Sequence, residues 1–297
     1  MKLVLVTGGA GHVGSHLIEE LLLDKDNQII SLDNYFIGSS KNHIKDPRVE
    51  YRTGSTGDIF KLIPEIPDII YHLGEYARIA PSWDEPDKVF AMNTVGTLAV
   101  VEFCRQRKIK KLVYAASSTK FGDDGKGGAG KNQSPYAFSK AMNVELITNY
   151  GKWYNLPHVI CYFFNAFGPR ERGDTKYGTV IAMFQQAYLK GEPIKVVLPG
   201  TQKRNFTYVK DLARGIILAS EKGKGDGYAL NNIKQHSILE IAEAFGGEII
   251  KVEGRPGRSG AGDLPAQARN ELGWSTTIDV LDYIKQFVKD NPRGGKN

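Results

Sequence analysis

The stretch Lys2-Leu3-Val4-Leu5-Val6-Thr7-Gly8-Gly9-Ala10-Gly11-His12-Val13-Gly14 decides the fold of this chain. Its first half is a short apolar run, typical of a buried parallel strand, and its second half is a glycine-rich turn that enters an amphipathic segment at 13–23. Gly8, Gly11 and Gly14 allow a tight turn and let backbone N–H groups at a helix N-terminus approach a pyrophosphate. Such turns also occur without a ligand, so neighbouring residues must support this interpretation. The stretch predicts the opening unit of a dinucleotide-binding fold.

A second apolar run, 28–32, ends at Asp33 and completes a β-α-β unit. A carboxylate at this position can accept hydrogen bonds from both hydroxyls of an adenosine ribose, and it repels a 2′-phosphate. The next residue is Asn34, not an arginine that would reverse the preference, so we expect NAD rather than NADP. Asp58, followed by Ile59, comes after a third strand candidate. Its carboxylate is a candidate acceptor for the adenine amino group, and the alternative is an ordinary turn or N-cap aspartate.

Apolar strand candidates alternate with helical segments along the first half of the chain. Strands are predicted at 2–7, 28–32, 49–52, 68–73, 111–116 and 158–163, and helices at 13–23, 89–107 and 137–154. This alternation predicts an α/β fold with a Rossmann-type doubly wound parallel sheet. We expect residues 1–165 to form the NAD-binding domain and 166–297 a smaller C-terminal α/β substrate-binding region, with part of 204–232 packing back on the Rossmann domain.

The segment Tyr136-Ala137-Phe138-Ser139-Lys140 places a phenol and an ammonium group one helical turn apart. A tyrosine in this position can take the proton of a substrate hydroxyl while hydride leaves the same carbon for a nicotinamide. The lysine and the positive nicotinamide ring both stabilise the phenolate, and the lysine can also hold the nicotinamide ribose. A Tyr/Lys pair with this spacing arises often by chance, but together with the glycine turn it predicts redox chemistry on a hydroxyl carbon.

The composition, with 41% hydrophobic and 24% charged residues, is ordinary for a globular protein, so we do not expect a disordered chain. The net charge of +6 comes from scattered residues, which favours phosphate-bearing small molecules over nucleic acid. His12 and His16 have no third ligand nearby, so we expect no metal site. The cysteines, Cys104 and Cys161, are far apart, and we see neither a signal peptide nor an apolar stretch that could span a bilayer. We therefore expect a cytoplasmic protein.

Together these motifs resemble the extended short-chain dehydrogenase/reductase family and, within it, the NAD-dependent nucleotide-sugar epimerases and dehydratases, the group that includes UDP-glucose 4-epimerase. The resemblance covers nearly the whole chain. It depends on the segments 7–14, 33–34, 58–59, 72–74, 93–97, 115–122, 134–140, 164–170, 204–209 and 272–274. It implies a nucleotide-diphosphate sugar as the substrate and NAD as the cofactor.

The resemblance also implies roles for single residues. Ser117 matches the catalytic serine or threonine that bonds to the reacting sugar oxygen, and Ser118 is the neighbouring alternative. Asn165 and Arg204 match contacts to the substrate diphosphate, and Arg255 is a weaker match to a second diphosphate arginine, the alternative being a solvated loop charge. The residues implied in cofactor binding are Gly8, Gly11, His12, Val13, Asp33, Asn34, Asp58, Ile59, Leu73, Gly74, Asn93, Tyr136 and Lys140.

Two departures from the family pattern bear on the reaction. Relatives that dehydrate or decarboxylate the sugar tend to have a glutamate where this chain has Thr119. Without that acid the reaction stops at oxidation and re-reduction, so we expect epimerisation, most plausibly at C4. The alternatives are a reductase or dehydratase of the same family and a non-catalytic protein that binds a dinucleotide or nucleic acid. The second departure is Glu75, which stands where a small residue is usual, close to the expected nicotinamide.

Apolar faces at 89–103 and 137–147 are candidates for a dimer interface. In this family two helices from each subunit commonly form a four-helix seam. The resemblance therefore implies a homodimer, and the alternative is that both faces pack inside the subunit.

Overall fold

The computed structural model describes residues 1–121, 134–253 and 265–294 of the 297-residue chain. The strands in these parts are β1 (Lys2–Thr7), β2 (Asn27–Asp33), β3 (Val49–Thr53), β4 (Ile69–His72), β5 (Lys111–Ser117), β6 (His158–Phe163), β7 (Ala166–Phe167), β8 (Ile194–Val197), β9 (Lys203–Asn205), β10 (Thr207–Tyr208), β11 (Gly225–Leu230), β12 (Gln235–Ser237) and β13 (Ile249–Val252). The α-helices are α1 (His12–Leu21), α2 (Ile59–Leu62), α3 (Pro86–Val89), α4 (Gly96–Arg107), α5 (Pro135–Tyr154), α6 (Val180–Leu189), α7 (Val209–Lys222), α8 (Ile238–Phe245), α9 (Gln267–Leu272) and α10 (Val280–Asp290). None of these helices has the length and apolar character needed to cross a membrane.

Seven parallel strands form the central sheet, in the order β11, β6, β5, β4, β1, β2 and β3. Strand β1 lies inside the sheet, and its residues Val4, Leu5 and Val6 are fully buried because helices cover both faces. From β1 the strand order runs outward in both directions, which is the arrangement of a doubly wound α/β fold. The predicted Rossmann-type fold is confirmed.

Each face of the sheet has its own apolar core. On one face α4 and α5 contribute Phe103 and Ile147 to a cluster with strand residues such as Leu5. On the other face α1 and α7 contribute Leu17 and Ile216. These two layers hold the carboxyl ends of the strands at one edge, where the loops that follow β1, β4 and β5 meet.

A third apolar cluster, in the C-terminal part of the chain, joins α6, α8 and α10, with Phe184, Phe245 and Ile284 among its members. In this part β8 pairs with β13 and β9 pairs with β12. Helix α7 packs on α1, however, and β11 pairs with β6, so residues 209–230 belong to the layers of the central sheet. Sequence reasoning expects such a return for part of 204–232, and the division into domains at residue 165 stays a prediction.

The helix predicted over 89–107 is interrupted. The structure has α3, then a π-helical turn at Phe90–Val95, then α4. The wider turn lets Asn93 bond to the backbone of Tyr76, with Oδ1 accepting from the N–H at 2.6 Å and Nδ2 donating to the carbonyl at 3.0 Å. Buried backbone N–H and carbonyl groups need hydrogen-bond partners. The side chain of Asn93 supplies both partners for Tyr76, in the loop after β4.

Candidate active site

A cleft of about 1180 Å³ opens at the carboxyl ends of β1, β4 and β5, between the central sheet and the β9 and α6 segments. Open α/β sheets bind ligands at this edge. The cleft wall contains most of the residues that the sequence proposes for the site: Gly8, Gly11, His12, Val13, Asp33, Asn34, Leu73, Gly74, Ser117, Ser118, Tyr136, Lys140, Asn165 and Arg204. The fold therefore brings together segments that are up to about two hundred residues apart in sequence.

The glycine turn packs tightly on itself and against the loop after β4, at the N-terminus of α1. Gly8 has a φ of +73°, and a Cβ there would lie 2.8 Å from the backbone of Gly74. A Cβ on Gly14 would lie 2.1 Å from the carbonyl oxygen of Gly8. Gly11, the N-cap residue of α1, supplies no side-chain cap, so the first N–H groups of the helix face the cleft without a side-chain acceptor. This cradle fits the pyrophosphate of a dinucleotide.

Asp33 ends β2 at the rim of the same cradle. Its Oδ2 accepts from the N–H of Ala10 at 2.9 Å and its Oδ1 accepts from the N–H of Tyr35 at 2.8 Å. Burial raises the pKa of this carboxyl group, and the two N–H donors oppose that shift. Gly38 lies so close that a Cβ there would be 3.0 Å from both carboxylate oxygens. The carboxylate is therefore held in place, as recognition of a ribose requires.

Asp58, Ile59 and Asn93 lie outside the cleft wall. Asp58 is exposed at the start of α2, Ile59 is fully buried in the core, and Asn93 is buried behind the site, where it also donates to Ser139 Oγ at 3.0 Å. The neighbouring segment 54–56 lines the cleft instead. Local sequence could not distinguish these positions, because one turn of backbone decides which of two adjacent side chains faces a ligand.

Helix α5 positions the tyrosine and the lysine. Ser134 Oγ accepts from the N–H of Ala137 at 3.1 Å and so caps the helix at its N-terminus. Tyr136 then lies in the first turn and Lys140 one turn later, and both line the cleft. They are 9% and 6% exposed, so both groups are shielded from bulk water.

Strand β5 brings the candidate serines to the same place. Ser117 ends the strand, and its Oγ accepts from the N–H of Thr119 at 3.2 Å and from Thr119 Oγ1 at 3.0 Å. Ser118 and Thr119 line the cleft as well. The hydroxyl of Ser117 therefore keeps its own proton available for donation, beside the wall that holds Tyr136 and Lys140.

Lys140 is paired with a buried carboxylate that sequence reasoning noted but did not connect to it. Its Nζ donates to the carbonyl oxygen of Ala115 at 2.6 Å and to Oε2 of Glu75. Glu75 Oε1 accepts three further side-chain hydrogen bonds, from Asn143 Nδ2 at 2.7 Å, Thr97 Oγ1 at 2.8 Å and Tyr114 OH at 3.1 Å. The only sequence signal was a glutamate in an apolar context where a small residue is usual.

A chain of hydrogen bonds connects Glu75 to the glycine turn. Thr97 donates its proton to Glu75, so it accepts from His72 Nε2, 2.9 Å away. His72 Nδ1 then accepts from Thr7 Oγ1 at 2.8 Å, and Thr7 Oγ1 itself accepts from the N–H groups of residues 73–74. Burial lowers the pKa of His72 to about 4, so the imidazole is neutral and has a single tautomer.

A half-buried cation lies in another part of the cleft wall. Arg204 lies in β9 and faces the cleft, and burial lowers the pKa of its guanidinium group. Within the described residues no carboxylate pairs with it, and its Nε has no hydrogen-bond partner. Asn165 Nδ2 donates to the carbonyl oxygen of Asn205 at 2.8 Å, beside Arg204. The positive charge and the unpartnered Nε make Arg204 a candidate donor to an anion. Arg255 lies outside the described residues.

Sequence reasoning missed Glu171. Its side chain is 1% exposed, burial raises its pKa to about 7, and its Oε2 has no hydrogen-bond partner in the described parts. Its Oε1 accepts from Thr179 and lies 3.9 Å from Nδ1 of His12, whose own pKa burial lowers to about 3. The sequence around Glu171 does not distinguish it from an ordinary solvent-exposed glutamate in a loop. The described residues contain no group of three side chains that could hold a metal.

Comparisons with known proteins agree with this geometry. The model of the NAD dependent epimerase/dehydratase family matches residues 4–231. A Bacillus subtilis protein named "Uncharacterized UDP-glucose epimerase YtcB" is 30% identical over 80% of this chain and 79% of its own length. UDP-glucuronic acid decarboxylase 6 of Arabidopsis thaliana is 30% identical over 97% of this chain and 88% of its own. These two relatives are named for different reactions, one an epimerase and the other a decarboxylase. The residues of the site must therefore indicate which reaction this chain catalyses.

The fold has a close structural counterpart. The crystal structure of the UDP-glucose 4-epimerase of Thermus thermophilus in complex with NAD is similar, with a TM-score of 0.84 and 27% identity. The match covers 97% of this chain and 98% of that one. It therefore includes both the central sheet and the C-terminal part that together form the cleft.

Proposed function

Because the chain belongs to the NAD dependent epimerase/dehydratase family, we propose that it epimerises a nucleotide-diphosphate sugar at C4 of the sugar. Its cofactor is NAD. The observation that carries the proposal is the content of the cleft: Ser117, Tyr136 and Lys140 lie on one wall, and Thr119, not a carboxyl group, bonds to Ser117. Elimination of water or carbon dioxide needs a further acid or base at the keto sugar, whereas epimerisation needs none.

In the proposed mechanism the site would hold NAD, which would supply a reversible hydride acceptor for the sugar carbon. Tyr136 accepts the proton of the hydroxyl group during oxidation and gives it back during re-reduction. Ser117 donates a hydrogen bond to the same oxygen, and Lys140 stabilises the phenolate. Arg204 holds the diphosphate while the keto sugar turns its other face. In this proposal residues 1–165 bind NAD and 166–297 bind the sugar nucleotide.

The experiment that tests the function uses the purified protein without added cofactor. It is incubated with UDP-, GDP-, CDP- and dTDP-sugars, and the products are measured by mass spectrometry and sugar-proton NMR. The proposal predicts a new isomer of unchanged mass. A product that has lost water or carbon dioxide would contradict it, and so would the absence of turnover on the whole panel with NAD supplied.

A dehydratase of the same family is the second candidate, and Glu171 is the observation that favours it. This carboxyl group, with its pKa raised to about 7, is a proton donor in the wall of the cleft. It lies 3.9 Å from His12, at the glycine turn, whereas the candidate reacting groups are Ser117 and Tyr136. Epimerisation therefore fits the arrangement better.

Arg204→Met is expected to raise KM for the sugar nucleotide by about 10- to 100-fold, with a smaller change in kcat. The substitution keeps the apolar stem and removes the charge-assisted hydrogen bonds to the diphosphate, which are made in the ground state and the transition state alike. Steady-state kinetics measure both constants. Arg172→Met is the matched control, since Arg172 also lines the cleft but is paired with Asp174 at 3.1 Å. Equal effects of the two substitutions on KM would argue against a diphosphate site at Arg204.

The proposed enzyme is a cytoplasmic homodimer. Its cysteines are free and buried, which suits a reducing compartment. Helices α4 and α5 expose an apolar surface that includes Leu98 and Phe138, which are 42% and 43% exposed. A lysine there would have to be desolvated in the seam, so Leu98→Lys is expected to convert the dimer to a monomer in sedimentation analysis. Ile233→Lys, at another exposed apolar residue, should leave the dimer intact. A wild-type monomer would rule out the seam.

A further inference from the structure

Resting on the proposed function, we infer that Glu75 is a positioning residue for catalysis. It anchors Lys140 against the carbonyl of Ala115 and offsets the ammonium charge beside Tyr136. Glu75 and Lys140 form an ion pair in which the side chains are only 1% and 7% exposed. A buried pair of this kind is held by geometry as well as charge, because either partner alone would be costly to bury.

Lys140 has little freedom in this arrangement. An ammonium group has three N–H donors, and within the described parts of the chain two of them are committed to Glu75 and Ala115. The ammonium nitrogen also lies 4.9 Å from the centre of the Tyr114 ring. One donor is left for the cleft, where the nicotinamide ribose and Tyr136 are expected. The protein therefore orients the ammonium group of Lys140 toward the cleft before any ligand binds.

Glu75 is itself fixed. Its Oε1 accepts from three side chains on three separate elements, α4, β5 and α5, and its Oε2 accepts from Lys140. Thr97, one of these donors, is oriented by the neutral imidazole of His72. These hydrogen bonds hold the carboxylate of Glu75 in one position, so it can hold the ammonium group of Lys140 in place.

The charges around the pair decide its electrostatic effect. Among the described residues, the titratable groups facing Glu75 are Lys140, Tyr114 and His72. Those facing Tyr136 are Lys140 on its own helix, Arg78 and Tyr114. His72 is neutral, so the carboxylate is balanced by Lys140 alone within this network. A balanced pair exerts a weaker field on Tyr136 than a free ammonium group would.

The test is Glu75→Gln, which preserves size and the acceptor oxygen for Asn143 but removes the charge. The pH midpoint of Tyr136 phenolate formation is read from ultraviolet absorbance in NAD-loaded protein. Subtracting the same titration of a matched protein carrying Tyr136→Phe isolates this tyrosine. Because Lys140 then acts without its counter-charge, the midpoint should fall by about one pH unit.

Two matched variants distinguish charge from shape. Glu75→Asp keeps the negative charge and should restore the wild-type midpoint. Glu85→Gln removes a different carboxylate, one that pairs with Lys88 at 2.7 Å and Lys176 at 3.0 Å, and it should leave the midpoint unchanged. A midpoint in Glu75→Gln that stays or rises, in protein whose thermal unfolding shows that it is folded, would overturn the inference.

The optical titration needs no substrate, so it separates this inference from the proposed function. If the wild type turns over no sugar nucleotide but the midpoint falls as expected, the reaction is wrong and the role of Glu75 stands. If epimerisation is observed and the midpoint does not move, the reaction stands and Glu75 is only structural. In active protein the pH profile of kcat should shift in the same direction as the optical midpoint.

Discussion

Tyr136→Phe is expected to reduce kcat by about 10²- to 10⁴-fold, the usual contribution of a positioned general acid–base group. The phenylalanine ring fills the same space in the cleft wall, so the substitution removes the hydroxyl alone. The proton of the sugar hydroxyl then has no acceptor when hydride leaves. Interconversion of the two sugar epimers, followed by NMR at saturating substrate, measures the loss.

Tyr150→Phe is the matched control for this substitution. Tyr150 is on the same helix, but its hydroxyl donates to Glu102 Oε1 at 2.7 Å, away from the cleft. It should retain kcat and lose a small amount of stability. Bound NAD, measured after denaturing the protein, should be the same in both variants. If Tyr136→Phe retained wild-type turnover, the assignment of the base would be wrong.

Glu171→Gln is expected to make the folded protein more stable above neutral pH, by up to about 3 kcal/mol. Burial raises the pKa of Glu171 from its ordinary value of 4.5 to about 7, so the fold favours the protonated carboxyl group. The stability that this group contributes is complete below pH 4.5 and is lost as the pH rises through about 7. The amide of glutamine does not ionise, and its carbonyl can still accept from Thr179.

Denaturant unfolding of cofactor-free protein between pH 4 and pH 8 measures this effect, since this range extends below the ordinary pKa of Glu171 and above its raised pKa. Wild type and Glu171→Gln should have similar free energies of unfolding at the acidic end and diverge as the pH rises. Glu192→Gln, at an exposed glutamate, should follow the wild-type curve throughout. Parallel curves for wild type and Glu171→Gln would mean that the carboxyl group is not isolated from water.

The sequence predicted the location of a site residue best where a few adjacent residues define it. The turn at 8–14, Asp33 at a strand end, and the pair of Tyr136 and Lys140 on one helix are all local arrangements, and the structure places each of them in the cleft. Their geometry follows from strand and helix periodicity, which is why a pattern could predict it. The contact of Asp58 with adenine stays a prediction, since that side chain is exposed outside the cleft wall.

The amino-acid sequence by itself determined the doubly wound sheet, the glycine cradle and the placement of Tyr136 and Lys140 one helical turn apart, because each depends on the order of neighbouring residues. Only the tertiary structure decided how charge is distributed around that chemistry. Glu75 meets Lys140 across 65 residues, and Glu171 reaches the glycine turn from the far side of the cleft. Burial and hydrogen bonding give these carboxyl groups their properties, and both arise only when distant segments pack together.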